Sequence, residues 1–438
     1  MGGIRFIFTA LLGCLAATAT AVTFKVTGEL TPDSVSSLSA RTDIDVLDLS
    51  EAVVTGTPSA GEIPAGAFFG SKIKSVSLPA STRRIREAAF ALSALQSVEI
   101  PEGVVEIEAE AFYQCAALEN IALPSSVRLI GKYAFAGCSA LKELKLDHTR
   151  VTELPEGALA ATQAMKHFSS TRLLKAGSHV FRGSGVEEVS LPSVRTLDEF
   201  ALAGTPALKH VTLPNRVITG RGVLMDSPQL SRLDGALVDI PDLFAANSGA
   251  IRDGGGLQAA AHVGAYALAN SPVSVITLAE GLRQVGAGVL SGCVNLTDID
   301  ARALGAAMPV ADADAVAGTD PGKIRLIVAE NTADLWKSDP VWGRFNVTTD
   351  ISSLGIEQVA GADPAPREMR IVCAGGAVSV IAASYPVETA VYDADGRLHA
   401  RATLYDAGQT LALDALPDGL LVVEARSGSA STALKLIK

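Results

Sequence analysis

Five cysteines, six histidines and scattered carboxylates are the residues here that could do chemistry. What they could do depends on spacing. A metal centre needs ligands a few positions apart, and a nucleophile needs a base and an oxyanion donor. None of the patterns H-E-x-x-H, C-x-x-C, G-x-S-x-G or a phosphate-binding P-loop occurs. His148, His167, His179, His210, His262 and His399 are scattered without metal spacing and read as surface or turn positions. Asp393-Ala394-Asp395-Gly396 could begin a calcium loop, but the remaining ligands and closing Glu are absent, so it reads as a hairpin turn. Gly286-Ala287-Gly288 lacks the third glycine of a dinucleotide fingerprint. Asp312 and Asp314 read as part of a loop. No residue is assigned a catalytic, cofactor-binding or metal role, and the chain reads as a non-enzyme that needs no cofactor.

The cysteines lead to the organisation instead. Cys115 and Cys138 close two successive lines, Leu95–Ala117 and Leu118–Ala140, that share one pattern. Each line has a short alternating apolar run followed by Pro (Pro101, Pro124), then Ile (Ile107, Ile130), Phe (Phe112, Phe135) and Cys. A fixed period in the twenties is the mark of a solenoid. Ile73, Leu141, Met165, Val186, Leu208, Leu230, Val273 and Leu296 open further, less regular units. Cys115, Cys138 and Cys293 then occupy one repeat position and are expected to be free thiols in a column of small buried apolar residues. Parallel side chains in such a column do not aim at each other as a disulfide requires.

In each unit a V-x-L run puts two side chains on one face of a short strand, and Pro ends the strand. The stretch from Ile to Phe returns along the opposite wall, by an irregular or helical path. About five buried apolar side chains contribute on the order of 10 kcal/mol per unit. Ordering about twenty residues costs about 1–2 kcal/mol each. One unit therefore cannot fold without neighbours on both sides. The residue between the two inward ones points outward, which makes Ser77, Glu99, Ala122, Lys145, Ser190, Thr212 and Thr277 a ladder on the strand face. Ser77, Glu99, Lys145, Ser190, Thr212 and Thr277 are the candidate binding residues, a small polar set without an aromatic anchor.

The sequence divides as follows. Residues 1–21 read as an export signal: Arg5 is followed by an apolar run and an A-x-A-like site at Ala19-Thr20-Ala21, with cleavage expected after Ala21. Leu11-Leu12-Gly13-Cys14 is the competing signal, a lipoprotein-type box that would anchor the chain through Cys14. Residues 22–72 read as an N-terminal cap with a helix over 34–41 and Asp33 as its N-cap. Residues 73–308 read as the solenoid, 309–350 as its C-terminal cap, with a loop over 309–321 and both Trp336 and Trp342 closing the open end. Residues 351–366 read as a linker, and 367–438 as a small antiparallel β-sandwich of seven short strands. The net charge of −11, with no basic run, excludes nucleic acid as partner.

The run from Leu118 to Leu141, with Ile121-Ala122-Leu123-Pro124, Ile130 and Ala134-Phe135-Ala136-Gly137-Cys138, resembles the leucine-rich repeats of the Bacteroides surface protein A type. The stretches VTGEL…VLDLSEA and LIVAE…LWKSDPVWGRF are similar to what flanks such arrays. The resemblance implies a leucine-rich-repeat solenoid, exported to the bacterial cell surface or secreted, that binds host or matrix proteins and serves adhesion. Val391-Tyr392-Asp393…Gly396-Arg397, Leu413…Leu416-Pro417-Asp418-Gly419 and the closing Lys435-Leu436-Ile437-Lys438 resemble the C-terminal sorting domain of the type IX secretion system, although Leu420-Leu421 stands where that family has G-x-Y. The alternatives are a glycan- or nutrient-binding surface component and the accessory solenoid of a hydrolase.

Overall fold

A computed structural model of the chain describes residues 5–8, 21–57, 60–249, 259–350, 369–374, 377–382, 387–393, 397–404, 410–413, 420–427 and 430–437. Cys14, Ala19, Thr20 and the 351–366 linker lie outside these residues, as do Gly254-Gly255-Gly256 and the Asp418-Gly419 turn. The chain divides into two compact units, Met1–Ile356 and Glu357–Lys438.

In the first unit the repeats stack as two ladders of short parallel strands. One ladder holds the V-x-L strands in three stretches. The first stretch runs through Thr23–Leu30, Val46–Asp48, Ser75–Ser77, Ser97–Glu99 and Asn120–Ala122. The second holds His167–Ser169, Glu188–Ser190, His210–Thr212 and Arg232–Asp234, and the third Val275–Thr277, Asp298–Asp300, Arg325–Ile327 and Asn346–Thr348. The other ladder is made of two-residue strands carrying the Ile position, from Glu62–Ile63 through Arg84–Ile85, Glu106–Ile107 and Leu129–Ile130 onward. Register is locked where a strand buries its middle residue between two outward ones, as at Val76 and Val98, which pair with each other, Val98 pairing in turn with the partly buried Ile121. A slip of one residue would turn that apolar side chain out to solvent.

The ladders extend past the expected ends of the repeat region. Thr23–Leu30 and Val46–Asp48 are already strands of the first ladder, and Arg325–Ile327 and Asn346–Thr348 still are. The 309–321 stretch is a coil return rather than a loop. Val310–Ala311 pairs with Gln284–Val285, and Ala315 and Val316 are buried where other returns bury Val289 and Leu290. Its Ala- and Asp-rich composition concealed that equivalence. The N-terminal helix is Pro32–Ser39 and its cap is Thr31, not Asp33. Pro32 sits at the first helical position, so the hydroxyl one residue earlier is the one that meets the Ser34 N–H.

The returns take the irregular path, not the helical one. The returns from Gly66–Gly70 to Gly288–Gly292 contain two residues in the left-handed conformation four positions apart, such as Tyr133 (φ 56°) with Gly137 (φ 77°), or Gly288 (φ 61°) with Gly292 (φ 70°); the 309–321 return keeps only the second, Gly318 (φ 79°). A helix cannot contain such residues. What holds the return is the next coil: the N–H groups of Tyr133, Phe135 and Gly137 donate to the carbonyls of Glu156, Ala158 and Ala160 at 2.9, 3.1 and 2.8 Å. Three large rings in the first left-handed column lie over a glycine one coil later. A Cβ on Gly157, Gly222 or Gly288 would fall 2.1, 2.4 or 2.3 Å from the rings of Tyr133, Phe200 and Tyr266 respectively.

Inside, Phe68, Phe90, Phe112 and Phe135 form a continuous stack, with centroids 5.1, 5.3 and 5.4 Å apart and planes within 8°. At the far end Trp336 and Trp342 are both buried, meet edge to face at 5.7 Å, and donate their indole N–H to Gly305 O and Pro309 O at 3.0 Å each. Each indole covers the last coil while its polar atom is satisfied.

The second unit has the seven expected strands. Met369–Ala374, Ala377–Ala382 and Thr410–Ala412 form one antiparallel sheet; Val387–Asp393, Leu398–Leu404, Leu420–Ser427 and Ala430–Ile437 form another. Val378 and Leu413 from the first sheet side meet Val391, Leu421 and Val423 of the second in one apolar cluster. Asp393 ends its strand: its carboxylate accepts from Arg397 N–H at 2.9 Å and lies 2.7 Å from His399 Nε2, while Ala394-Asp395-Gly396 of the expected turn lie outside the described residues.

Two outcomes are expected. Phe112→Ala removes the middle of the phenylalanine stack and should lower solenoid stability by about 3–5 kcal/mol. Both tryptophans lie in the distal cap, so urea unfolding followed by tryptophan emission reads the effect from the opposite end. A circular dichroism shift with an unmoved tryptophan transition would show that the solenoid is not one cooperative unit. Ala161→Gly, at φ 55°, relieves left-handed strain and should raise the unfolding free energy by up to about 1 kcal/mol, seen as a higher urea midpoint; a lower midpoint would refute the strain.

Candidate functional site

Alternation in the first ladder turns two side chains per strand outward, one on each side of the buried residue. The sequence pattern pointed to the second of these only. Of its candidates, Ser77 and Glu99 are register partners, and the Ser77 hydroxyl donates to Glu99 Oε2 at 2.7 Å. Ser190 and Thr212 are likewise register partners, in the second stretch, between Ser169 and Asp234. Thr277 belongs to the third stretch and pairs with Asp300. Lys145 lies where the ladder is interrupted; it is exposed and ion-paired with Glu143 at 3.1 Å. Four of the six therefore form two neighbouring pairs, and Lys145 and Thr277 stand apart from both.

The missed column supplies the charges: His167, Glu188, His210 and Arg232 on four consecutive strands. The available signal was parity, because the residue before the buried one must also face out. His167 Nδ1 lies 3.2 Å from Glu188, His210 Nε2 2.8 Å from Asp234, and Arg232 donates to Asp234 at 2.9 Å. Lys209 and Lys166 flank Glu187 at 2.7 and 3.7 Å. The face is thus mixed in sign and neutralised within itself. Asp234 is raised by partial burial, but hydrogen bonds from Arg232 and His210 outweigh that and hold it below the usual carboxylate range.

Thr212, His210 and Asp234 are the nearest approach to a nucleophile–base–acid constellation. The geometry forbids that role. The same nitrogen, His210 Nε2, lies 2.8 Å from Asp234 and 3.4 Å from Thr212 Oγ1. A working triad uses opposite ring nitrogens, one for the acid and one for the nucleophile. Among the described residues no group of three or more His, Cys, Asp or Glu is placed to hold a metal ion, and no helix is long and apolar enough to cross a membrane.

The cysteine column is buried and its thiols are free, but it is not simply apolar. Cys115, Cys138 and Cys293 donate to the carbonyls of Phe90, Phe112 and Leu268 at 3.0–3.1 Å. The same position in other coils is Thr205 or Ser248, which donates to Leu202 O at 2.9 Å and Leu224 O at 2.6 Å. The column is a row of donors to return carbonyls; Phe90 O, Phe112 O and Leu268 O also accept the backbone N–H of Ser93, Cys115 and Ser271, and a thiol is the weakest donor of the row. Burial pushes the Cys115 and Cys293 thiols up to about 11, and Cys138 well above its ordinary value. Thiols held protonated in this way are poor nucleophiles.

Residues 61–184 and 152–232 match the family described as BspA type leucine rich repeat region, in six copies. The repeat array is of the BspA type. No curated protein matches the chain. Three solved structures resemble the chain. A leucine-rich repeat protein from Bacteroides ovatus is 17% identical, with 80% of this chain and 98% of that one covered and a TM-score of 0.45. The pneumococcal vaccine antigen PcpA is 17% identical, with 77% and 96% covered and a TM-score of 0.42. A leucine rich cell surface protein from Faecalibacterium prausnitzii is 18% identical, with 68% and 87% covered and a TM-score of 0.32.

Cross-coil ion pairs give the BspA-type array a pH dependence. Glu119 is held below its ordinary value by Lys142, Glu156 by Tyr133 and Lys132, and Glu187 by Lys209. Carboxylates depressed in the folded chain stabilise it above their unfolded value, about 4.3 for Glu, and this stability is lost as pH falls through the lower folded values. The melting temperature should fall as the pH drops below about 4.3, the unfolded value for Glu. Glu156→Gln should flatten that slope; an unchanged slope in a pH series of thermal melts would refute its contribution.

Proposed function

We propose that the protein is an exported bacterial protein-binding module, secreted or held at the cell surface, whose contact face is the outer side of the first ladder between His167 and Asp234. Its partner is an extracellular or host protein, and adhesion is the activity this serves. One observation supports this reading above others: four strands in register present His167, Ser169, Glu188, Ser190, His210, Thr212, Arg232 and Asp234 together. A rigid sheet face costs little ordering entropy on binding. Its balanced charges suit a protein surface of mixed polarity better than a polyanion. The glycan-binding alternative has less support, because both tryptophans are buried in the cap. Export rests on the 1–21 segment, with Cys14 as the residue through which a lipid anchor would act. The C-terminal sandwich serves delivery to the surface.

The experiment is a pull-down of the mature protein against host extracellular proteins, beside a glycan array. Ser190→Arg with Thr212→Arg places two unpaired cations at the centre of the face and should weaken capture at least about tenfold, the loss expected when a desolvated contact is blocked. The melting temperature should not change, since both side chains are at the surface. Glycan binding without protein capture, or capture untouched by the double variant, refutes the reading. Fractionation of cells expressing Cys14→Ala separates membrane retention from release into the medium.

A further inference from the structure

The first strand of the main ladder has two edges. One pairs in parallel with Val46–Asp48, Thr23 opposite Val46 and Lys25 opposite Asp48. The other carries Arg5–Phe8, laid antiparallel with Arg5 opposite Thr27, Phe6 opposite Val26, Ile7 opposite Lys25 and Phe8 opposite Phe24. Among the described strands of the first unit this is the one antiparallel pairing. The strand that closes the edge therefore comes from the segment read as the export signal.

Removal of residues 1–21 would strip that edge and leave the outward backbone N–H and C=O groups of residues 24–27 without a partner strand. An edge of this kind is a template for an added strand. Thr23–Leu30 is also the longest strand of the ladder, eight residues against three elsewhere. Edge strands are commonly protected by a lysine, and Lys25 stands in the middle of this one. Its charge is already taken: Glu51 lies at 2.7 Å and Asp48 at 3.6 Å. The strand itself is firmly held, with Phe24 and Val26 buried and the Arg41 guanidinium 4.6 Å above the Phe24 ring.

We propose that processing converts this edge into a strand-addition site. It takes an extended, proline-free segment of another protein, antiparallel, in the register Arg5–Phe8 occupies, with apolar residues at the two positions opposite Phe24 and Val26. The inference rests on the export and protein-binding reading and adds a second, separate contact to it. Until processing, the leader occupies the site in cis.

The test uses the full chain carrying Phe6→Pro and Phe8→Pro, since proline cannot sustain the ladder. The probe is a fluorescent peptide of residues 4–9, IRFIFT, followed by anisotropy. The opened chain should bind it saturably, and the unaltered full chain at least tenfold more weakly. Two peptides N-methylated at alternate amides should differ, one losing binding at least tenfold and the other keeping it, because only one set faces the edge. The naturally processed protein should behave as the opened chain does, which covers a proline variant that misfolds. No binding to either form, equal binding of both methylated peptides, or sedimentation showing the edge filled by a second copy overturns the proposal. A failed pull-down with the Ser190 and Thr212 face leaves this outcome unaffected, so the two readings fail separately.

Discussion

A coil of this protein has no interior of its own. Phe90 is buried because Phe68 lies 5.1 Å to one side and Phe112 5.3 Å to the other. Everything else follows from that dependence on neighbours. Like side chains must recur at one position so that flat rings can stack. The strands must be parallel and in register so that each buried residue meets its counterpart. Both ends must be closed, and they are closed by different means: a capped helix with Val35 and Leu38 buried at one, and two indoles at the other. Stability in such an array is a sum of neighbour terms.

The returns show how the same dependence settles backbone conformation. Left-handed residues cost energy when they are not glycine, yet Tyr133, His179, Phe200 and Tyr266 all adopt that conformation. Their N–H groups or rings are engaged by the adjacent coil, which offsets the strain. Tyr133 over Gly157, Phe200 over Gly222 and Tyr266 over Gly288 share one arrangement, a large ring in one coil and no side chain in the next, whereas His179 stacks on the ring of Phe200 at 5.3 Å. The Ser and Cys column follows the same logic: Cys115, Cys138, Ser248 and Cys293 each donate to a carbonyl one coil back, while Thr205 donates at 2.9 Å within its own coil.

This dependence leaves the outer strand face free of folding duties. Ser190, Thr212 and their neighbours point away from the core, and their charges pair among themselves. The face therefore varies from coil to coil while the core does not. That is how a repeat protein offers a specific surface on a generic frame, and why the candidate site was the least legible part of the chain.

The period, the buried positions and the strands of the C-terminal sandwich were legible in the order of residues alone, because burial imposes alternation that one chain displays directly. Val76, Val98, Ile107 and Phe135 were readable as core for that reason. Both tryptophans were legible as cap residues too. The rest, the helix cap apart, came from packing between coils. It turned the Asp-rich 309–321 stretch into a coil return and gave the cysteines a donor role. It set His210 Nε2 against both Asp234 and Thr212, which removes a triad that residue types alone would permit. The helix cap, at Thr31 and not Asp33, is set locally by Pro32; the other outcomes depend on which atom of a neighbouring coil, some twenty residues away, comes within hydrogen-bond distance, and no local pattern encodes that.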